Sequence, residues 1–168
     1  LFFFLSTRML PVVGAIVPIY VIAREISMLD NIWTLVVLYT AINLPIAVWM
    51  LRSFMSEVPT EVLEAARVDG ATLWQEARRV LLPMVAPGVA ATALICVIFA
   101  WNEFFLAVTL TAVRAQTVPV YLVGFITSEG AFWARLSAAA TLAALPVLLA
   151  GWIAQRYLVR GLTLGAIK

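Results

Sequence analysis

Histidine is absent from this 168-residue chain, and cysteine occurs once. The first absence removes the commonest metal ligand and proton shuttle, and with it any serine–histidine triad. The single thiol, Cys96, lies inside an apolar run, so no internal disulfide and no cysteine-pair metal site is available. Charge is scarce as well. Asp, Glu, Lys and Arg make up 12% of the residues, about half the share found in soluble globular domains. No glycine-rich loop ending in Lys-Ser or Lys-Thr is present, which excludes the usual phosphate cradle for ATP. No catalytic set, metal site or cofactor is expected. The net charge of +2 and pI near 9.0 do not point to nucleic acid. The basic residues stand beside apolar runs, where membrane topology accounts for them.

What the chain has in excess is apolar length. It is 64% hydrophobic, with a mean hydropathy of +1.05, and the excess falls in runs that match the roughly 20 residues a helix needs to cross a bilayer. Four spans are expected, at about residues 1–23, 32–51, 84–113 and 136–154. The first carries Pro11, Gly14 and Pro18 and is predicted to be kinked or locally unwound. The second has no charge, with Asn43 and Pro45 near its middle. The third holds one charge, Glu103, and a small-residue stretch that includes Ala86, Gly88, Ala90 and Ala91. The fourth is uncharged and rich in alanine. Small residues let helix backbones approach closely in lipid, so the last two spans read as packing elements. Residues 116–128 are apolar but too short to cross, which suggests a re-entrant or interfacial helix. The fold class is therefore all-α, a polytopic transmembrane helical bundle forming one domain or part of one. The chain opens Leu1-Phe2-Phe3-Phe4 without a basic leader region, and an upstream part is expected to precede it.

Residues 52–83 break the apolar pattern. They hold Glu57, Glu61, Glu64, Asp69 and Glu76, five of the nine acidic residues, together with Arg52, Arg67, Arg78 and Arg79. Thr60 is positioned as an N-cap, with Glu61 and Glu64 in the first helical turn. Glu64 and Arg67 are spaced i,i+3. Asp69-Gly70 then reads as a helix stop, with glycine supplying a positive φ. Thr72 restarts a helix, and Gln75 completes a capping box. The second helix is expected to bury Leu73, Ala77, Val80 and Leu81, to expose Gln75, Glu76, Arg78 and Arg79, and to end at Pro83. A connector of this length is usually functional or disordered, and this one is coded for order. The plain alternative is a solvated linker between spans.

Orientation follows the basic residues. Loops 23–31 and 114–135 share one side and carry Arg24, Arg114 and Arg135. The island and the C-terminal tail share the other, with Arg52, Arg67, Arg78, Arg79, Arg156, Arg160 and Lys168. The larger share places residues 52–83 and the C-terminus in the cytoplasm.

The run Glu64-Ala65-Ala66-x-x-Asp69-Gly70-Ala71, followed by Leu82-Pro83, resembles the EAA loop of binding-protein-dependent ABC transporter permeases. Further matches extend the likeness over essentially the whole chain: Arg8-Met9-Leu10-Pro11, Asn43-Leu44-Pro45, Trp101-Asn102-Glu103-Phe104, and the tail with Gln155-Arg156-Tyr157 and Arg160-Gly161-Leu162-Thr163. They are similar to the carbohydrate-type permeases, in particular the maltose-permease G-like branch. Family members usually have six spans, of which four are expected here, and Val12 stands where many relatives carry a second proline. The resemblance implies a bacterial-type inner-membrane transport subunit, not an enzyme. It implies that Glu64, Ala65, Ala66, Asp69, Gly70, Ala71, Leu82 and Pro83 couple to ABC ATPase subunits. It also implies a second permease subunit and an extracellular sugar-binding protein as partners, beside membrane lipid.

Within the bilayer, Asn43, Trp101, Asn102 and Glu103 are candidates for the translocation path, since indole faces and amide or carboxylate groups suit a polyhydroxylated substrate. A mid-membrane carboxylate costs roughly 2.5–3.5 kcal/mol on insertion scales, so Glu103 must face protein or water. The structural alternative is that it holds neighbouring helices together, with Arg8 or Asn43 as partner. Asn43 has its own alternative, capping a carbonyl freed by Pro45. A broken first span and one ionisable group also fit part of an ion-coupled secondary transporter, and a non-transporting membrane scaffold is a third reading.

Overall fold

The computed structural model describes residues 12–128 and 130–165, and only the backbone of residue 12 and residues 156–165. Much of the first expected span, including Arg8 and Pro11, lies outside the described residues. So do Ala166 and Lys168, and the side chains of Arg156 and Arg160.

The architecture is helical. Helix α1 covers Val12–Glu25 and α2 covers Ile32–Ser56. Helix α3 covers Thr60–Val68, and α4 covers Leu73–Glu76. A π-helical turn, Ala77–Leu81, joins α4 to α5, Leu82–Asn102. Two short helices come next, α6 (Phe105–Leu110) and α7 (Val118–Val123). Strands β1 (Ile126–Thr127) and β2 (Gly130–Ala131) pair antiparallel, Ile126 opposite Ala131 and Thr127 opposite Gly130. Helix α8 runs over Trp133–Gly165. Three stretches among the described residues are long and apolar enough to cross a membrane: Ile32–Ser56, Leu73–Asn102 and Trp133–Gln155.

Several sequence expectations are corrected. Pro18 lies within an uninterrupted α1 rather than in a locally unwound stretch, because one missing N–H removes one rung and leaves the rest of the ladder. Pro83 does not end the second island helix. The Leu82 N–H reaches back five residues to the Ala77 carbonyl, and this wider turn shifts the register so that the proline ring is not driven into the preceding turn. The helix thus runs from Leu73 through Pro83 and Pro87 to Asn102. The expected third span, residues 84–113, is not one helix. It stops at Asn102 and restarts at Phe105.

The chain divides into two compact units, with boundaries inside α2, α5 and α8. The first comprises the residues up to Pro45 and Val97–Leu149. Its core is Ala23, Leu106 and Leu110, with Ile16, Ile19, Leu29, Leu38, Tyr39 and Ile42 packed around them. Short α6 is its most enclosed element, with Leu106 and Ala107 fully buried. The second comprises Ile46–Cys96 and the residues from Ala150 on. Within it the Phe54 ring of α2 lies so close to Gly88 of α5 that a Cβ there would sit 2.2–2.7 Å from three ring atoms. Beside this contact Val85, Ala91 and Thr92 are buried, and Thr92 Oγ1 donates to the Gly88 carbonyl at 2.7 Å.

Candidate functional site

The island folds as helix, turn, helix. Helix α3 starts without the expected cap. Pro59 holds the N-cap position with no side-chain hydrogen bond, and Thr60 is the first helical residue. Its other end is closed as the sequence predicts. Gly70 adopts φ +83°. The Gly70 N–H donates to the Arg67 carbonyl at 3.0 Å, and the Ala71 N–H donates to the Ala66 carbonyl at 3.0 Å. These two bonds are a Schellman motif, which occupies the last carbonyls of the helix. Two residues later the capping box is complete. The Thr72 N–H donates to Gln75 Oε1 at 2.9 Å, and the Gln75 N–H donates to Thr72 Oγ1 at 3.4 Å.

Arg67 hydrogen-bonds Glu76 rather than Glu64, which acts on it through charge alone. It reaches across the turn to Glu76, with Nε donating to Oε2 at 2.7 Å and Nη2 donating to Oε1 at 2.9 Å. The expectation that Glu76 is exposed therefore fails: it is 7% exposed, while Leu73, expected to be buried, is 77% exposed. The hydrogen bonds and charge of Glu76 raise the Arg67 guanidinium above its ordinary pKa. With Glu76 drawn inward, the turn presents an apolar face of Val68 (88% exposed), Leu73 and Trp74 (73% exposed). Glu64, Ala65, Asp69 and Gly70 are exposed around it, and Ala66 is half-buried. Sequence periodicity missed this face because a helix broken by a glycine does not keep one stripe.

The residues proposed for the membrane interior separate into two groups. Trp101 and Asn102 line an open cavity of about 400 Å3 together with Val118, Pro119 and Leu122 of α7 and Ala140, Ala143, Ala144, Val147 and Leu148 of α8. Asn43 and Glu103 are not among its lining residues. The Glu103 carboxylate closes the start of α6, accepting from the Leu106 N–H at 2.9 Å and the Ala107 N–H at 3.3 Å. Among the described residues its partners are these backbone amides and not Asn43, while Arg8 lies outside the described residues; a carboxylate at a helix start is where the dipole favours it. Asn43 Nδ2 donates to the Tyr39 carbonyl at 2.8 Å, one turn back. That is not the Ala41 carbonyl which Pro45 leaves without a donor. Asn43 Oδ1 is buried with no hydrogen-bond partner among the described residues.

One site residue is foreseen by no motif in the sequence. Asp30, at φ +54°, accepts backbone N–H groups from four consecutive residues. Oδ1 receives those of Ala112 (2.9 Å), Arg114 (3.1 Å) and Ala115 (3.1 Å), and Oδ2 those of Val113 (3.1 Å) and Arg114 (3.0 Å). The Ala112 and Arg114 amides lead in holding this carboxyl far below the ordinary carboxylate range. Its neighbour Asn31 caps the start of α2, accepting the Trp33 N–H at 2.9 Å.

Residues 1–164 match the family model described as binding-protein-dependent transport system inner membrane component. The chain is 40% identical over 164 residues to a probable ABC transporter permease protein of Sinorhizobium fredii, covering 98% of this chain and 59% of that protein. It is 39% identical to the diacetylchitobiose uptake system permease protein of Streptomyces coelicolor, covering 98% and 60%. It is 37% identical to the trehalose transport system permease protein of Mycobacterium tuberculosis, covering 98% and 61%. The chain thus spans about three-fifths of the length of these relatives.

Proposed function

Since the chain belongs to the family of inner membrane components of binding-protein-dependent transport systems, we propose that it forms the membrane path and the motor-docking loop of an ATP-driven sugar importer. Its partners would be a second permease subunit, two ABC ATPase subunits and an extracellular sugar-binding protein. ATP hydrolysis would reside in the ATPase subunits. Residues 52–83 and the C-terminus would face the cytoplasm, in keeping with the basic residues.

One observation carries this reading: an ordered, doubly capped turn set between helices of membrane length, with Val68, Leu73 and Trp74 exposed around Gly70. A mere connector has no need of a Schellman motif, a capping box and a bidentate ion pair within a dozen residues. Closure of the ATPases would move residues 65–70, and the attached spans would exchange between inward-open and outward-open arrangements. The substrate class is a sugar or short glycoside. Trp101 and Asn102 offer it an indole face and an amide along an open cavity. Glu103 fixes the start of α6 rather than lining that cavity, and its engagement with two backbone amides removes the main support for an ion-coupled carrier.

The test is reconstitution of the assembled transporter in proteoliposomes, assayed with radiolabelled trehalose, maltose and diacetylchitobiose. Uptake of at least one is expected, driven by internal ATP and indifferent to ion gradients. Gly70→Pro and Glu64→Lys are expected to abolish it. Uptake driven by an ion gradient without ATP, or normal uptake in both variants, overturns the proposal.

A further inference from the structure

We infer that Arg67 and Glu76 form a positioning clamp that fixes the shape of the docking turn and makes α3 and the helix beginning at Leu73 move as one body. The inference rests on the coupling role proposed above and assigns the part within it that carries load.

Three observations support it. The contact is a two-point fork, Nε to Oε2 and Nη2 to Oε1, and a planar guanidinium so engaged fixes orientation as well as distance. It joins the last turn of α3 to the first turn of α4, across a connection whose pivot is Gly70 at φ +83°. A glycine pivot is the place where a pushed lever would fold, and the fork closes that joint. Finally, the placement of the charge is selective. Glu61 and Glu64 remain exposed, whereas Glu76 is buried beside the exposed Trp74. Among the described residues this is the one salt bridge. An ordinary surface ion pair leaves both partners wet and contributes little. Drawing one carboxylate inward makes sense for geometry.

The clamp has a consequence for the docking face. Val68 belongs to α3, while Leu73 and Trp74 belong to α4. Their spacing is only as fixed as the joint between the two helices, so the fork sets the outline that a partner cleft must accept. Load applied at residues 65–70 then passes through Arg67 and Glu76 into the continuous helix that extends to Asn102.

The experiment uses the assembled transporter in proteoliposomes, with Cys96→Ala as background and spin labels at Val62→Cys and Arg78→Cys, both exposed positions. A single narrow distance distribution is expected with the clamp intact. Arg67→Ala and Glu76→Ala should broaden it and lower sugar uptake per ATP hydrolysed by roughly threefold or more. The reversed pair, Arg67→Glu with Glu76→Arg, should restore both readings. Where the reversed pair fails to assemble with the ATPase subunits, Glu76→Gln is read instead, and intermediate width with intermediate coupling is expected. Wild-type coupling in the alanine variants, or a reversed pair no better than either, overturns the clamp. Gly70→Pro in the same vesicles separates this from the broader proposal: if it too leaves uptake per ATP unchanged, the coupling role itself fails.

Discussion

At the scale of single residues, Asp30 shows what a carboxylate does once its oxygens are taken up by backbone. Four successive amides converge on it, a concave arrangement of N–H groups that suits an anion. The folded pKa lies below the unfolded one, so the sign of the linkage is fixed. The stabilising contribution is complete above the ordinary carboxylate value, about 4, and fades as pH falls from there through the lowered folded value. Asp30→Asn keeps the left-handed φ of +54°, which asparagine tolerates, and removes the charge together with one of the two acceptor oxygens. In detergent or nanodiscs, the variant should melt below the wild type at neutral pH, and the gap should narrow as pH is lowered from about 4 toward 3. A gap that stays constant over that range would refute the assignment. This contact was not legible in the sequence. Its partners lie 82 to 85 residues away, and a backbone amide carries no side-chain signature.

At the scale of elements, the readable parts of the island were those encoded locally. Asp69-Gly70 and Thr72 with Gln75 are signals that act within four residues, and both appear in the structure as the sequence predicts. The parts that failed depend on residues further along the chain. Pro83 is a stop signal in a soluble helix, yet the apolar run after it favours continuation, and the π-turn absorbs the misfit. Phe54 and Gly88 form a similar non-local match. Alanine at position 88 would gain about 1 kcal/mol in helix propensity. Its methyl, however, would stand 2.2–2.7 Å from the Phe54 ring, and overpacking of this kind typically costs about 1–3 kcal/mol. The clash is expected to win, so Gly88→Ala should lower the unfolding midpoint. Phe54→Leu in that background should recover part of the loss. A stabilised Gly88→Ala variant would mean that the ring moves aside without penalty.

At the scale of the whole molecule, apolar run length sufficed for the fold class, because the bilayer imposes helices and a minimum length on whatever crosses it. It did not suffice for where helices end within the membrane: Glu103 interrupts the third run by capping α6, which hydropathy cannot register. Sidedness rests on the basic residues, and the structure supplies an independent constraint on one part of it. Asp30 ties the loop after α1 to the loop after α6, so those two loops lie on the same face of the membrane whatever the charge count says. Under the proposed cytoplasmic placement of residues 52–83, that face would be the extracytoplasmic one. Val113, 83% exposed, and Val68, 88% exposed, report the two assignments. In a Cys96→Ala background on intact cells, a membrane-impermeant maleimide should label Val113→Cys at once and Val68→Cys only after permeabilisation. Labelling of Val68→Cys from outside would invert the topology and leave the docking turn with no access to a cytoplasmic motor.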